Sequence, residues 1–219
     1  MVTGEAGRES LVRRWSAESG INLVARQVCE KRCNSGWMSR LESRVKPFLT
    51  HMISAQQKTL LSVADQRALA AWATKTTMTQ ALTTPGRHIK LPHYQRFGTV
   101  IQPLPLSIVL IGTFDGFSDR LLRADPRLIR FQAEGVDIGP DSDAVCATNL
   151  IGHFIFQVVI HDIGTHKVTV DDSANTQGFL QQIWPLSGAD LVWPPRLVLN
   201  DAAYEELRLK CASRVRVLL

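Results

Sequence analysis

The sequence predicts an α+β protein in which a helical N-terminal part precedes a mostly antiparallel β-sheet and a C-terminal helix. Two observations carry this prediction. Apolar residues recur at steps of three and four between Met38 and Ala81, which is the period of an amphipathic helix. After Gly98 the pattern changes to short apolar and β-branched runs bounded by turn residues, which is typical of strands. We therefore expect a helical region at residues 1–98 and an antiparallel β domain at residues 99–219.

Three helical segments are predicted in the first part. The first runs from Met38 to about Ile53, and Pro47 inside it predicts a kink or two helices that meet there. Ser62 to Asp65 resembles a capping box with Asp in place of Glu, so a second helix starts at this point and ends at Thr83 to Gly86. A third, short helix lies between Pro92 and Gly98.

The second part is expected to contain strands and one helix. Strands are predicted at Ser107–Phe114, Arg127–Phe131 and Leu150–Asp162, the last with Gly152 as a bulge. We expect Lys167–Val170 to form a hairpin with that last strand. A helix with Asp201 as its N-cap then runs to Lys210, with acids in its first turn and bases in its last.

Aromatic and imidazole side chains have simple structural interpretations. Trp184 and Trp193 each precede a proline, and we expect them to pack over the sheet, although an aromatic groove for a base or a peptide also fits. His88 and His93 are five residues apart and therefore do not share one helix face, which favours packing or surface positions over a metal pair. The same interpretation applies to three further histidines: His153, His161 and His166.

Composition and charge are those of an ordinary globular domain that can contact a polyanion. The 219 residues are 45% apolar and 21% charged, with a formal net charge of +5. Residues 1–50 hold nine Lys and Arg against five Asp and Glu, whereas the remaining residues hold sixteen against fifteen. A solvated surface and a phosphate-binding face both fit this concentration of positive charge.

The sequence favours a cytoplasmic protein. No stretch approaches the ~20 apolar residues that cross a bilayer, and the N-terminus lacks the apolar core of a secretory signal. The four cysteines follow no regular disulfide framework, which favours a reducing compartment. We expect no membrane partner, and the sequence leaves the oligomeric state open.

Residue types that carry chemistry concentrate between Val28 and Glu42. Cys29 and Cys33 are followed by Asn34 and a Ser-Gly turn, and helical spacing begins at Met38. A treble-clef zinc finger presents its second ligand pair in this order, with the thiolates near a helix N-terminus. Cysteines as small buried hydrophobic residues and Asn34 as a plain helix N-cap are the alternatives.

The stretch resembles the HNH endonuclease-like proteins of bacteria and their phages. The resemblance covers roughly residues 26 to 200 and rests on Cys29, Cys33, Asn34, Gly36, Trp37, Met38, Ser39, Leu41, Glu42, Lys46-Pro47, Trp72-Ala73, Lys75-Thr76, Met78, Trp184-Pro185-Leu186 and Trp193-Pro194-Pro195. It implies metal-dependent hydrolysis of DNA phosphodiesters, with Asn34 on a catalytic Mg²⁺ or Mn²⁺ and with Cys29 and Cys33 on a structural zinc.

This sequence departs from the family pattern in two ways. All six histidines follow the cysteine pair, so the upstream histidine that acts as the general base has no counterpart. Three residues separate Cys29 from Cys33, where the family has two. We therefore expect a degenerate or inactive nuclease relative, or alternatively a non-catalytic module that binds nucleic acid or protein. The expected nucleic-acid contacts are basic residues around the motif: Arg26, Lys31, Arg32, Arg40, Arg44 and Lys46.

Overall fold

A computed structural model describes residues 34–54, 57–83, 89–116, 123–130, 143–162, 164, 167–171 and 178–218. The helices are α1 (Ser39–Ser54), α2 (Val63–Thr83), α3 (Leu91–Val100) and α4 (Asp201–Leu209), with a π-helical turn at Asn34–Met38 and a 3₁₀ turn at Ala212–Arg214. The strands are β1 (Thr59–Leu61), β2 (Ser107–Thr113), β3 (Arg123–Arg130), β4 (Asp143–Ile151), β5 (Phe154–His161), β6 (Lys167–Val170), β7 (Leu180–Trp184), β8 (Leu191–Trp193) and β9 (Val215–Leu218).

A five-stranded sheet in the order β3-β4-β5-β2-β7 forms the centre of the fold, and all of its strand pairs are antiparallel. Two short antiparallel ribbons, β1–β8 and β6–β9, accompany it. The predicted α+β class, with helices before the sheet and a helix near the C-terminus, is confirmed.

Both faces of the central sheet are buried, which divides the apolar side chains into two cores. On β5, Phe154 and Phe156 point into the first core with α1, α2 and α3, whereas Ile155 and Val159 point into the second core with α4 and the β6–β9 ribbon. Successive side chains of a strand point to opposite faces, so a strand between two layers is apolar at nearly every position. The fold therefore has three layers, with the sheet in the middle.

α1 is a single helix, so the predicted alternative of two helices that meet at Pro47 is wrong, while the alternative of a kink there stays a prediction. Leu41, Val45 and Met52 are buried on one side, as the helical spacing predicted. Pro47 lies inside the helix on its exposed side. A proline there removes one backbone hydrogen bond, and the apolar contacts of α1 with the first core offset that loss.

α2 begins with the predicted capping box. The Asp65 carboxylate accepts hydrogen bonds from the Ser62 backbone N–H and hydroxyl, and the Asp65 N–H donates to the Ser62 hydroxyl oxygen. The helix is then buried on nearly all sides, including polar residues such as Thr74 and Thr77. Asn149 of β4 donates to the Thr77 hydroxyl at 3.2 Å, which places a polar contact between α2 and the sheet.

The apolar run predicted as one strand at Leu150–Asp162 is instead part of a hairpin. Gly152 and His153 form the turn between β4 and β5, and Ile151 pairs with Phe154 across it. Gly152 has φ +57°, and a positive φ at the first residue of a two-residue hairpin loop is typical of the primed turns. Between Leu150 and Ile160 the only polar side chains are those of His153 and Gln157, because both strands are buried on two faces.

Two further strand predictions need correction. Lys167–Val170 does form a strand, but it pairs with β9 and not with the segment around Leu150–Asp162. The strand predicted at Arg127–Phe131 extends over Arg123–Arg130 and lies at the edge of the central sheet. The edge position accounts for Pro126 within it, since an edge strand has one row of N–H groups that need no partner in the sheet.

The C-terminal region contains α4 and a disulfide that was not expected. The α4 N-cap is Asn200, whose side chain accepts from the Ala203 N–H, so the predicted Asp201 N-cap is wrong by one residue. Cys146 of β4 and Cys211 after α4 form a disulfide with a Cα–Cα distance of 6.1 Å. Disulfides are rare where thiols are kept reduced, so this bond disagrees with the expected reducing compartment.

The tryptophans pack as predicted. Trp193 is fully buried and its indole N–H donates to the Gly112 carbonyl, while the half-buried Trp184 donates to the Leu104 carbonyl.

Apolar residues from both sides of the predicted boundary at residue 98 share the first core. The division into two domains stays a prediction. Within the described ranges, no helix has the length and apolar character that crossing a membrane requires.

Candidate nucleic-acid interface

The structure describes four of the nine predicted site residues. Asn34 is the first described residue, and Arg40, Arg44 and Lys46 lie on α1. The others precede the described part of the chain: Arg26, Cys29, Lys31, Arg32 and Cys33. The cysteine knuckle and its geometry therefore stay a prediction.

The π-helical turn Asn34–Met38 leads into α1. Asn34 begins this turn and lies five positions before Ser39, so it is not the N-cap of α1 itself. Gly36 has non-helical dihedral angles, φ −102° and ψ −111°, which bend the chain within the turn, before the helix begins. The Trp37 ring packs against Phe97 of α3 with ring centroids 5.6 Å apart. This contact fixes the start of α1 against α3.

The solvent side of α1 carries the predicted basic residues. Arg40, Arg44 and Lys46 are all exposed, whereas Leu41 and Val45 between them are buried. Residues four apart on a helix lie on the same face, so Arg40 and Arg44 occupy neighbouring positions on the surface of α1. The apolar stripe thus determines which side chains the helix presents to solvent.

Negative charge on α1 is neutralised by a neighbouring helix. Glu42 is the only carboxylate in α1, and its Oε1 lies 2.7 Å from Nζ of Lys75 on α2. The Lys75 side chain is only 11% exposed, so the pair is partly shielded from water. Arg44 Nη2 lies 3.4 Å from the Ala64 carbonyl at the start of α2, which directs this guanidinium along the surface between the two helices. The outer side of α1 therefore has a net positive charge.

An exposed arginine pair of this kind can bind phosphate. A guanidinium presents paired N–H donors that match the oxygens of a phosphate, and each contact releases counterions from a nucleic acid. The small side chains on the same side of α1, among them Ser43 and Thr50, do not obstruct a backbone that approaches the helix. The surface of Arg40, Arg44 and Lys46 is hereafter called the basic face.

The described residues do not complete the predicted zinc site. A structural zinc has four N or S ligands, and a cysteine binds it as a thiolate. Cys146 and Cys211 are joined to each other, so neither sulfur is a thiolate that could join Cys29 and Cys33. Across the described ranges, no group of three or more His, Cys, Asp or Glu side chains is placed to hold a metal ion.

A second polar cluster, not foreseen as a site, lies at the start of α3. Asp162 Oδ1 is 2.6 Å from His93 Nε2, and Asp162 Oδ2 is 2.7 Å from Lys90 Nζ. The cluster lines a shallow pocket with Asp143, whose carbonyl accepts the Asp162 N–H. A carboxylate near a helix N-terminus is also favoured by the helix dipole. This cluster ties α3 to the end of β5.

Sequence reasoning missed this cluster for a physical reason. Lys90 and His93 are three residues apart and lie together at a helix start, which is a local signal. Their shared partner Asp162 is 69 residues from His93, and no periodicity indicates a pairing at that distance. His153, by contrast, meets the expectation of a satisfied histidine, since its Nδ1 lies 2.8 Å from the Phe114 carbonyl oxygen.

Comparisons of the chain with protein-family models, with curated proteins and with solved structures gave no match. The resemblance to HNH endonucleases stays a prediction from the sequence.

Proposed function

We propose that this chain binds nucleic acid through the basic face of α1, as a relative of the HNH endonucleases whose hydrolytic site is incomplete. One observation carries the proposal. The three Lys and Arg residues of α1 are all exposed, while the only acid of the helix is paired with Lys75. The other predicted contacts, Arg26, Lys31 and Arg32, lie outside the described residues.

The salt dependence of the association constant reports how many phosphates the protein contacts. The logarithm of the association constant falls with the logarithm of salt concentration, with a slope of about −0.9 per contacted phosphate of B-form DNA. Removing Arg40 and Arg44 together should therefore reduce the slope by about 2 if each contacts one phosphate. The affinity at low salt should fall with it.

The test is a titration of a fluorescently labelled DNA duplex with the full chain, followed by anisotropy at several salt concentrations. The variant is Arg40→Ala/Arg44→Ala. A matched control, Lys210→Ala/Arg216→Ala, removes two exposed cations from the C-terminal region beside the second core. We expect the first variant to lose affinity and slope, and the control to keep both. Equal losses in the two variants, or no binding at low ionic strength, would refute the basic face as the binding surface.

Metal-dependent hydrolysis of DNA is a second candidate function. The observation that favours it is the position of Asn34 at the first residue of the turn that leads into α1, directly before the basic face. The resemblance gives Asn34 a role at a Mg²⁺ or Mn²⁺ ion, which would activate water and stabilise the charge that develops on phosphate. Supercoiled plasmid incubated with the chain and either ion would be nicked, and Asn34→Ala would not nick it. Binding without nicking leaves the first proposal alone.

A further inference from the structure

We propose that the Cys146–Cys211 disulfide controls how firmly the C-terminal segment covers the second face of the sheet. This segment, residues 200–218, is hereafter called the cap and contains α4, the 3₁₀ turn and β9. When the disulfide is reduced, the cap opens far more often while the first core stays folded. The bond is thus a redox-sensitive clasp for one layer of the protein.

The cap contributes only to the second core. Its buried apolar residues are Tyr204, Leu207, Cys211 and Val215, and all four belong to the cluster on the α4 side of the sheet. The Tyr204 ring meets Phe114 edge-on with centroids 5.6 Å apart. The first core contains no cap residue. Opening of the cap would therefore leave the packing of α1, α2 and α3 on the sheet in place.

A defined point separates the cap from the rest of the chain. Leu199 is buried, and its N–H donates to the Thr113 carbonyl at 2.9 Å at the end of β2. Its own carbonyl accepts the Asp115 N–H, also at 2.9 Å. These two backbone hydrogen bonds hold Leu199 to the central sheet. Movement of the cap can therefore begin at Asn200.

The disulfide joins Cys146, near the middle of β4, to Cys211, two residues after the end of α4. Cys146 and Cys211 both have zero exposed surface, so a reductant reaches the sulfurs only when the cap opens. A dithiol then supplies two electrons and two protons, the S–S bond becomes two cysteine thiols, and the dithiol becomes a disulfide. Hydrogen bonds of Arg214 to the Asp171 carbonyl and Gln157 Oε1 still hold the reduced cap. Reduction loosens the cap and does not remove its other contacts.

Loop-closure entropy gives the size of the effect. Cys211 lies twelve positions after the fixed point at Leu199, and releasing a closed loop of about that length raises the opening equilibrium about a hundredfold. In global unfolding the disulfide closes a loop of 65 residues instead, for which the same relation gives on the order of a thousandfold. Reduction is therefore expected to speed hydrogen exchange about a hundredfold where amides exchange through opening of the cap, and on the order of a thousandfold where they exchange only through global unfolding.

Hydrogen exchange followed by mass spectrometry, on the full chain with and without a dithiol reductant, tests the proposal. We expect amides of residues 201–218 to exchange about a hundredfold faster after reduction, whereas amides of α2 that exchange only through global unfolding should become faster on the order of a thousandfold. The variant Cys146→Ala/Cys211→Ala should show the faster cap exchange without reductant and no response to it. That second result separates the clasp from any effect of reductant on Cys29 and Cys33.

Two outcomes would refute the proposal that the disulfide holds the cap on the sheet. If alkylation proves that both thiols are free and cap exchange is unchanged, the bond does not control the cap. If exchange in the cap rises by the same factor as in α2, the cap opens only when the whole fold unfolds and is not a separate unit. Neither outcome depends on nucleic-acid binding.

Discussion

Replacing Gly152 by alanine tests how the β4–β5 hairpin is attached to α1. A Cβ atom at this position would lie 2.3 Å from the Ile53 carbonyl oxygen and 2.9 Å from its Cγ2. The same carbonyl accepts the His153 N–H at 2.9 Å. The hairpin turn therefore approaches the C-terminal end of α1 so closely that only glycine fits.

Two costs add in the Gly152→Ala variant. An alanine held at φ +57° costs about 1–2 kcal/mol relative to glycine. The contact with Ile53 is to backbone, which cannot rotate away, so the turn must move and lose the His153–Ile53 hydrogen bond, worth about 1 kcal/mol. We expect the free energy of unfolding to fall by about 2–3 kcal/mol, which combines both costs.

Urea denaturation followed by circular dichroism measures this change. The control is Gly98→Ala, an exposed glycine inside α3 with no atom within 4 Å of its Cβ position, for which we expect a gain of about 1 kcal/mol. Opposite signs for the two variants support the close approach of the hairpin to α1. A Gly152→Ala change smaller than about 0.5 kcal/mol would refute it, because strain alone exceeds that value.

Three further substitutions test local features by urea denaturation. Pro47→Ala should raise the free energy of unfolding by about 1–3 kcal/mol, since a proline inside a helix removes a hydrogen bond; a loss of stability would show that α1 is not continuous there. Ser62→Ala should lower it by about 1 kcal/mol through loss of the capping box with Asp65, and an unchanged midpoint would contradict that bond. Ile101→Gly should raise it by about 1 kcal/mol, because Ile101 caps α3 at φ +52°, and a decrease would mean that its side-chain contacts outweigh the strain.

Elements defined by local chemistry were predictable from the sequence. The apolar stripe of α1 and the Ser62–Asp65 capping box are encoded within a few residues, so reading the chain in order finds them. The strand at Ser107 was found in the same way, as a compact apolar run. Three exposed cations of the basic face could also be placed, because the same stripe fixes which side of α1 faces solvent.

Features that depend on distant partners were not predictable. The sequence around Gly152 predicts one strand because β4 and β5 are both buried on two faces. Such strands lack the alternation of apolar and polar residues that would show where each strand begins and ends. β6 finds its partner 45 or more residues away in β9, and Cys146 bonds to Cys211 across 65 residues. The Asp162 cluster has the same origin. Pairings of this kind depend on the sheet order, which no local pattern contains.

The burial of α2 has a consequence for how the protein can change over evolutionary time. A helix that is buried on nearly all sides admits few substitutions, because each one alters the packing against several neighbours. α1 meets the interior along one stripe only, so the residues on its outer side can be exchanged almost without a penalty in stability. Substitutions can therefore accumulate on the outer side of α1 while α2 preserves the architecture beneath it.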